Sequence, residues 1–271
     1  LAWWAWWRWR GGVGRRKQSA QEAGISSKVI IITGASAGIG AATTHLLAAQ
    51  GHRVVAVARR GAPLEALAQQ HGSAVLPLVA DMTVRAEVER VVAEALAAFG
   101  GIDVWVNNVG QGITRPPSQL TDDDIDDIMR VNVKSALYGI QAILPHFQAR
   151  GAGQVVNISS MLGRIPMATF RSAYCGAKHF LNALTASFRA EVQATHPGIQ
   201  ITIVSPGVVR TDFGANALHG GPDSRTLPYS QSAEEVAKVI ARVIETREPD
   251  VYTRPGSAAQ VAGYYAGIGV D

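Results

Sequence analysis

A chain of 271 residues with 47% hydrophobic and 17% charged residues has enough apolar content for a full core, which excludes a disordered or fibrous class. No run of about 18 apolar residues occurs, so no membrane span is expected, and a single cysteine, Cys175, excludes an internal disulfide framework and suits a reducing, cytoplasmic compartment. The net charge of +4 arises within the first 22 residues, where Arg8, Arg10, Arg15, Arg16 and Lys17 stand against one acid, Glu22; the rest of the chain is neutral and offers no field for a nucleic acid.

Residues 1–27 differ in character from the rest of the chain. Trp3, Trp4, Trp6, Trp7 and Trp9 alternate with Arg8 and Arg10 and give way to a Gly/Arg/Ser-rich passage. This reads as a disordered leader or as a cluster able to sit at a membrane interface, and membrane contact is expected only through it. From Lys28 the chain alternates. Val29–Ile32 is a strand and 38–50 a helix closed by Gly51. Arg53–Ala58 is a strand, 62–71 a helix and Val75–Val79 a strand. A helix over 84–99 stops at Gly100-Gly101, and Ile102–Val106 is a fourth strand. A helical region over 121–149, interrupted or kinked near Pro145, precedes the strand 154–158. A helix after Ser172, the strand Ile199–Val204, the helix 233–246 and the strand 250–253 complete the pattern. Strands alternating with helices of ten or more residues predict one α/β domain over 28–254, a doubly wound parallel sheet with helices on both faces, followed by a tail over 255–271.

The first strand runs into Thr33-Gly34-Ala35-Ser36-Ala37-Gly38-Ile39-Gly40. Glycines between a strand and a helix allow a tight turn, and the free N–H groups at the helix start suit a pyrophosphate. The second strand ends in Ala58-Arg59-Arg60. A carboxylate there would select NAD through the ribose 2′-OH; two guanidiniums instead favour the 2′-phosphate of NADP, with NAD the weaker choice. Asp81, after the third strand, reads either as an adenine contact or as the cap of the next helix. Asn107-Asn108-Val109-Gly110 closes the fourth strand, where Asn107 can be structural or catalytic and Asn108 can line a cofactor crevice. Thr121 followed by Asp122, Asp123, Asp124, Asp126 and Asp127 reads as a helix start favoured by its dipole, not as a metal site. Asn132 is either a buried hydrogen-bonding residue or one that orders a water.

The stretch from Ser159 to Lys178 carries the chemistry. The 154–158 strand delivers Ser159 and Ser160 at its end. Tyr174 and Lys178, four apart on a helix, share a face. An adjacent ammonium favours a phenolate and pulls the phenol below its ordinary pKa of about 10. A hydroxyl can hold a carbonyl oxygen against that phenol, so the group can protonate a forming alkoxide or deprotonate an alcohol. It supplies no hydride, so it needs a redox cofactor. Cys175, next to Tyr174, faces another side of the helix and reads as packing.

Together these motifs resemble the short-chain dehydrogenase/reductase family over residues 28–253. The marks are Thr33 to Gly40, Asn107-Asn108-Val109-Gly110, Asn132, Ser160, Tyr174 with Lys178, and Ser205-Pro206-Gly207 through Thr211. Val109 stands where the family usually has Ala, and the Ser160–Tyr174 spacing is one residue longer than in many members, which leaves Ser159 a rival hydroxyl. The resemblance implies a Rossmann-type fold, Tyr174 as general acid/base and Lys178 holding the nicotinamide ribose. It also implies Ser160 polarising the carbonyl, Asn132 positioning a water, and Pro206, Gly207 and Thr211 at the nicotinamide end. With the glycine turn, the cofactor set is then Gly34, Ser36, Gly38, Ile39, Gly40, Arg59, Arg60, Asp81, Asn108, Tyr174, Lys178, Pro206, Gly207 and Thr211. A homodimer or homotetramer through helices 121–149 and 170–195 is also implied. The expected function is NADP-linked interconversion of a small-molecule carbonyl and an alcohol; a silent NADP-binding sensor and a membrane-associated reductase are the alternatives. Val208 to Ser230 reads as a lid, and Met161, Leu162, Ile165 and Phe213 as pocket wall or core, which hints at a hydrophobic ketone or secondary alcohol.

Overall fold

The computed structural model describes residues 27–268, so the expectations for the Trp/Arg leader fall outside the described residues. Strands β1 (Val29–Thr33), β2 (Arg53–Ala58), β3 (Val75–Val79), β4 (Val104–Asn107), β5 (Gly153–Ile158), β6 (Ile199–Ser205) and β7 (Asp250–Tyr252) form one sheet, in the order β3-β2-β1-β4-β5-β6-β7. Every pairing is parallel. Between them run α1 (Gly38–Ala49), α2 (Gly61–His71), α3 (Arg85–Phe99), α4 (Asp122–Met129), α5 (Ser135–Arg150), α6 (Ser172–Thr195) and α7 (Ala233–Thr246), and α8 (Ser257–Ala266) follows β7. The doubly wound parallel sheet expected from the alternation is what forms.

The strands read as continuous apolar runs because both sheet faces are covered. Ile30, Ile32, Val54 and Ala56 point to one core with Leu47 of α1 and Val236 and Ile240 of α7. Their alternates Ile31, Val55 and Val57 point to the other, with Val88 and Val91 of α3, Ile140 and Ile143 of α5, and Trp105. A fully buried Ile contributes about 1.5–3 kcal/mol. An exposed helical ion pair such as Arg90–Glu94, at 2.7 Å, contributes about 0.3–0.5 kcal/mol. The two cores therefore fix the sheet, and surface charge only trims it.

One expectation changes. The long helical region is not interrupted at Pro145: α5 runs through it to Arg150, with Ile140, Ile143 and Phe147 buried on its face. The break lies upstream, where Arg130–Lys134 forms a π-helical turn. The wider turn carries three consecutive buried residues, Val131, Asn132 and Val133, and such bulges recur at functional sites. The tail after Pro255 contains α8, whose Tyr265 hydroxyl donates to the Arg164 carbonyl at 2.7 Å.

A buried side-chain chain ties β4, β5 and α6 together. Trp105 Nε1 donates to Asn107 Oδ1 at 2.6 Å, and Asn107 Nδ2 donates to Asn157 Oδ1 at 2.8 Å. Asn157 Nδ2 then donates to Thr185 Oγ1 at 2.9 Å, whose hydroxyl donates to the Leu181 carbonyl. Asn107 also donates to the Ala136 carbonyl at 3.3 Å. Of the two readings of Asn107, this engagement is structural. Among the described residues no helix is long and apolar enough to cross a membrane.

Candidate functional site

The strand order reverses between β1 and β4, which opens a crevice at the carboxyl ends of the strands. Asn108 closes the floor of that crevice. Its Nδ2 donates to the carbonyls of Thr33 and Gly34 at 3.0 and 3.2 Å, and its backbone N–H donates to Thr33 Oγ1 at 3.0 Å. Gly34 and Gly38 adopt φ of 68° and 54°, in the left-handed region that favours glycine. At Gly40 a Cβ would meet the Gly34 carbonyl oxygen well inside contact distance and Asn108 Nδ2 at 2.7 Å. Thr211 packs on the same turn, its Cγ2 2.9 Å from where a Gly38 Cβ would stand.

Helix α1 begins at Gly38 with Ala37 as N-cap; it has no side-chain cap and no acid in its first turn. Both α4 and α7 carry full capping boxes, Thr121 with Asp124 and Ser232 with Glu235. The first-turn N–H groups of α1 are thus left for a ligand, and with the helix dipole they suit an anion such as a dinucleotide pyrophosphate. Ile39 packs against the core below. The residues present fit a nicotinamide dinucleotide.

At the end of β2, Arg59 and Arg60 are exposed, and Arg60 Nη2 donates to Ser36 Oγ at 3.1 Å. Asp81 is not the cap of α3; that position is Val84, without a side-chain bond. Asp81 instead accepts from the Thr83 N–H and hydroxyl at 2.9 and 2.8 Å. Burial opposes its charge, but these two donations, with Arg59 and Arg130, outweigh it and lower its pKa.

Across the crevice, β5 ends at Ile158 and presents two serines. Ser160 Oγ accepts from the Leu162 N–H at 3.1 Å, which leaves its own proton to donate elsewhere. The Ser160 hydroxyl lies beside the Tyr174 phenol and favours its ionised form. The Ser159 hydroxyl is buried with no partner among the described residues and faces Gly163. Lys178 is 3% exposed, and its Nζ donates to the Ile158 carbonyl at 3.0 Å and stands 5.7 Å from the centre of the Tyr174 ring. Asn132, on the π turn, donates to the carbonyls of Gln111 and Ile128 at 2.9 and 3.0 Å and accepts from the Gln111 N–H at 3.1 Å. A Cβ at Gly110 would stand 3.2 Å from Asn132 Oδ1 and 3.6 Å from Lys178 Nζ, so both converge beside that glycine.

The electrostatics correct one expectation. Burial pushes the Tyr174 phenol up to about 12, against smaller lowering effects from Ser160 and Arg171. Burial pulls Lys178 down to about 8. Burial outweighs the lowering effects, and the Lys178 ammonium is engaged by the Ile158 carbonyl. The phenol therefore holds its proton at neutral pH, which suits it to donate.

Pro206 follows β6, and its carbonyl accepts from the Met161 N–H at 2.8 Å, while Gly207 lies against Arg254. Residues 209–231 leave the sheet as one excursion, pinned at its base by a bridge between Val209 and Gln231 and midway by one between Ile113 and Leu218. Phe213 stacks edge-on against Tyr174 with ring centres 5.5 Å apart. Of the expected pocket wall, Met161 and Ile165 are buried, whereas Leu162 and Phe213 pack around Tyr174. Gln111 and Arg171, which no motif marked, also border the site; the signal for Arg171 was its place one turn before Tyr174. Among the described residues no three potential metal ligands converge.

Comparison with known proteins agrees with this geometry. The short chain dehydrogenase family profile matches residues 28–220. An uncharacterized oxidoreductase of Staphylococcus epidermidis is 30% identical over 234 residues, covering 85% of this chain and 98% of the relative. A Burkholderia phymatum short-chain dehydrogenase/reductase solved with NAD superposes with a TM-score of 0.82 over 90% of this chain and 94% of its own, at 22% identity. An alcohol dehydrogenase of Thermococcus sibiricus complexed with 5-hydroxy-NADP superposes with a TM-score of 0.72 over 84% of this chain and 96% of its own, at 26% identity. A family match over most of the described residues, on a sheet that opens its crevice where a dinucleotide sits, makes the chain an NAD(P)-dependent oxidoreductase of the short-chain dehydrogenase/reductase family.

Proposed function

We propose that the protein interconverts a carbonyl and an alcohol with NADP(H), using Tyr174 as general acid/base. The observation that carries this reading is the approach of the Ser160 hydroxyl, the Tyr174 phenol and the buried Lys178 amine at one end of β5, across from the α1 turn. When bound, the cofactor supplies or accepts the hydride. Ser160 donates to the substrate oxygen and holds it beside the phenol. Tyr174 gives its proton to that oxygen in reduction and takes it back in oxidation. Lys178, most of its charge retained at pH 7, stabilises the anion left on the phenol and holds the nicotinamide ribose. Asn132 positions a water that returns a proton toward Lys178. The excursion over 209–231 acts as a lid, with Phe213 moving off Tyr174 to admit substrate.

NADP over NAD rests on Arg59 and Arg60, with Ser36 bonded to Arg60 and no acid at the end of β2. Charge-assisted hydrogen bonds of this kind are worth about 1.5–3 kcal/mol, so Arg60→Ala should raise the KM for NADPH by about 10–100-fold with little change for NADH. Initial rates with both cofactors across a panel of ketones and aldehydes measure this. A wild-type preference for NADH would overturn the assignment to NADP while leaving the chemistry at Tyr174 standing. Cytoplasmic placement, on the single buried Cys175, belongs to the same reading. So does a homodimer or homotetramer through α4, α5 and α6, for which sedimentation equilibrium is the measurement.

A further inference from the structure

A second polar cluster adjoins the phenol. Arg171 stands one turn before Tyr174, and its guanidinium is turned inward. Its Nη1 is shut off from solvent and has no hydrogen-bond partner among the described residues; the same holds for the hydroxyls of Thr114 and Ser172. The nearby acids are engaged elsewhere. Asp124 takes Arg115 at 2.6 Å and His219 at 2.7 Å, and Asp212 and Asp223 both pair with Arg225, at 3.1 and 2.8 Å. The groups acting on Arg171 are its burial, Tyr174 and Cys175, with no carboxylate among them. Its one side-on contact is the Phe170 ring, 5.8 Å from the guanidinium carbon.

Two glycines let this guanidinium lie directly against the backbone, where any side chain would collide with it or with its neighbours. A Cβ placed on Gly112 would stand 2.5 Å from Arg171 Nη1, 3.1 Å from Phe213 Cε1 and 3.3 Å from Ala217 Cβ. One placed on Gly221 would stand 2.7 Å from both the Gly214 carbonyl oxygen and Thr114 Oγ1, and 3.3 Å from Arg171 Nη2. Arg171 and Thr114 therefore converge on one point under the 209–231 excursion. Phe213, which touches the Gly112 side of this space, also stacks on Tyr174. An inward guanidinium without an acid is costly to keep. Its planar fork matches a carboxylate through two parallel N–H donations, and a hydroxyl beside it can add a third.

We propose that Arg171, with Thr114, is the carboxylate-binding subsite of the substrate pocket, so that the substrates are oxo acids and the corresponding hydroxy acids. The proposal rests on the reading of Tyr174 as the group that meets the carbonyl. It replaces the hydrophobic ketone hinted at by Leu162 and Phe213 with a substrate that is apolar in the middle and anionic at one end.

The test uses the full chain and a series of probes, 3-oxobutanoate, 4-oxopentanoate and 5-oxohexanoate, each beside its methyl ester. Calorimetric titration into the NADP-bound protein reads binding, and initial rates with NADPH read turnover. At least one acid should bind 10-fold or more tighter than its ester and be reduced with a kcat/KM at least 10-fold higher, as charge-assisted bidentate recognition supports. Arg171→Gln should bring both ratios to about 1, Arg171→Lys should keep part of the preference, and Thr114→Val should reduce it by about 3–10-fold. The acid-to-ester ratio cancels any effect of Arg171 on the Tyr174 pKa, because both probes meet the same phenol. Esters bound as tightly as every acid by the wild type, or an acid preference that survives both Arg171→Gln and Thr114→Val, would overturn the subsite. Reduction of esters without acid preference sinks the subsite alone. Tight, Arg171-dependent binding of an acid with no reduction of any probe supports the subsite and counts against the Tyr174 chemistry.

Discussion

Tyr174→Phe should lower turnover by about 10²–10⁴-fold, the range a positioned general acid contributes, while NADPH binding changes by less than about threefold. The ring, its stacking on Phe213 at 5.5 Å and its place beside Ser160 survive the change; only the hydroxyl is lost. Steady-state rates with fluorescence titration of NADPH separate the two effects. A variant that keeps full activity would remove the phenol from the mechanism, and one that loses cofactor binding as well would make its role structural. The pH profile carries a sign of its own. Because burial pushes the phenol up to about 12, the acid form is present throughout the neutral range. Reduction should therefore be level through neutrality and fall as the pH rises toward the phenol pKa. Oxidation needs the phenolate and should climb with pH over the same interval.

Asn107→Leu should destabilise the fold by about 2–6 kcal/mol, since it strands two buried polar groups at about 1–3 kcal/mol each. The groups are Trp105 Nε1 and Asn157 Oδ1, both in fully buried residues. Chemical denaturation would show a lower midpoint with an unchanged m-value. Adding Asn157→Leu should cost less than the sum of the single changes, because the second removes an acceptor that the first already left unpaired. A single change costing under about 0.5 kcal/mol, the level of an ordinary surface substitution, would mean that the Trp105–Asn107–Asn157–Thr185 chain carries no stability.

The residues that made the fold legible were those whose pattern is set by local physics. Ile30 to Ile32 and Val54 to Val57 are apolar on every residue because both faces of a parallel sheet are covered, and helices of ten or more residues between them imply the crossovers. Thr33 to Gly40 was legible because few arrangements other than a tight strand-to-helix turn use glycines so spaced. The π turn at 130–134 was not legible, because one wide turn shifts the apolar phase only once within a long helical run; Pro145 is the visible irregularity, although α5 runs through it. The direction of the Tyr174 shift was hidden for a related reason. Spacing at i and i+4 puts Lys178 on the same face, but it shows neither the burial of the phenol nor the Ile158 carbonyl, from β5, that engages Nζ. Asp81 failed as a helix cap because the Asp81–Thr83 turn occupies the residues before α3. Arg171 carried no motif at all. Its significance lies in three unpartnered polar groups and two glycines brought together from three separate segments, which only the tertiary structure displays.

The central claim is that a carbonyl held between Ser160 and Tyr174 is reduced at the carboxyl edge of β5. Single-turnover reduction of an oxo acid with NADPH deuterated at the transferring position of C4, followed by mass spectrometry of the product, addresses it most directly. Wild-type protein should place one deuterium on the carbinol carbon, and the Tyr174→Phe variant should give no labelled product at full cofactor occupancy. Labelled product formed as fast by that variant, or alcohol formed without label from either transferring position, would contradict the claim.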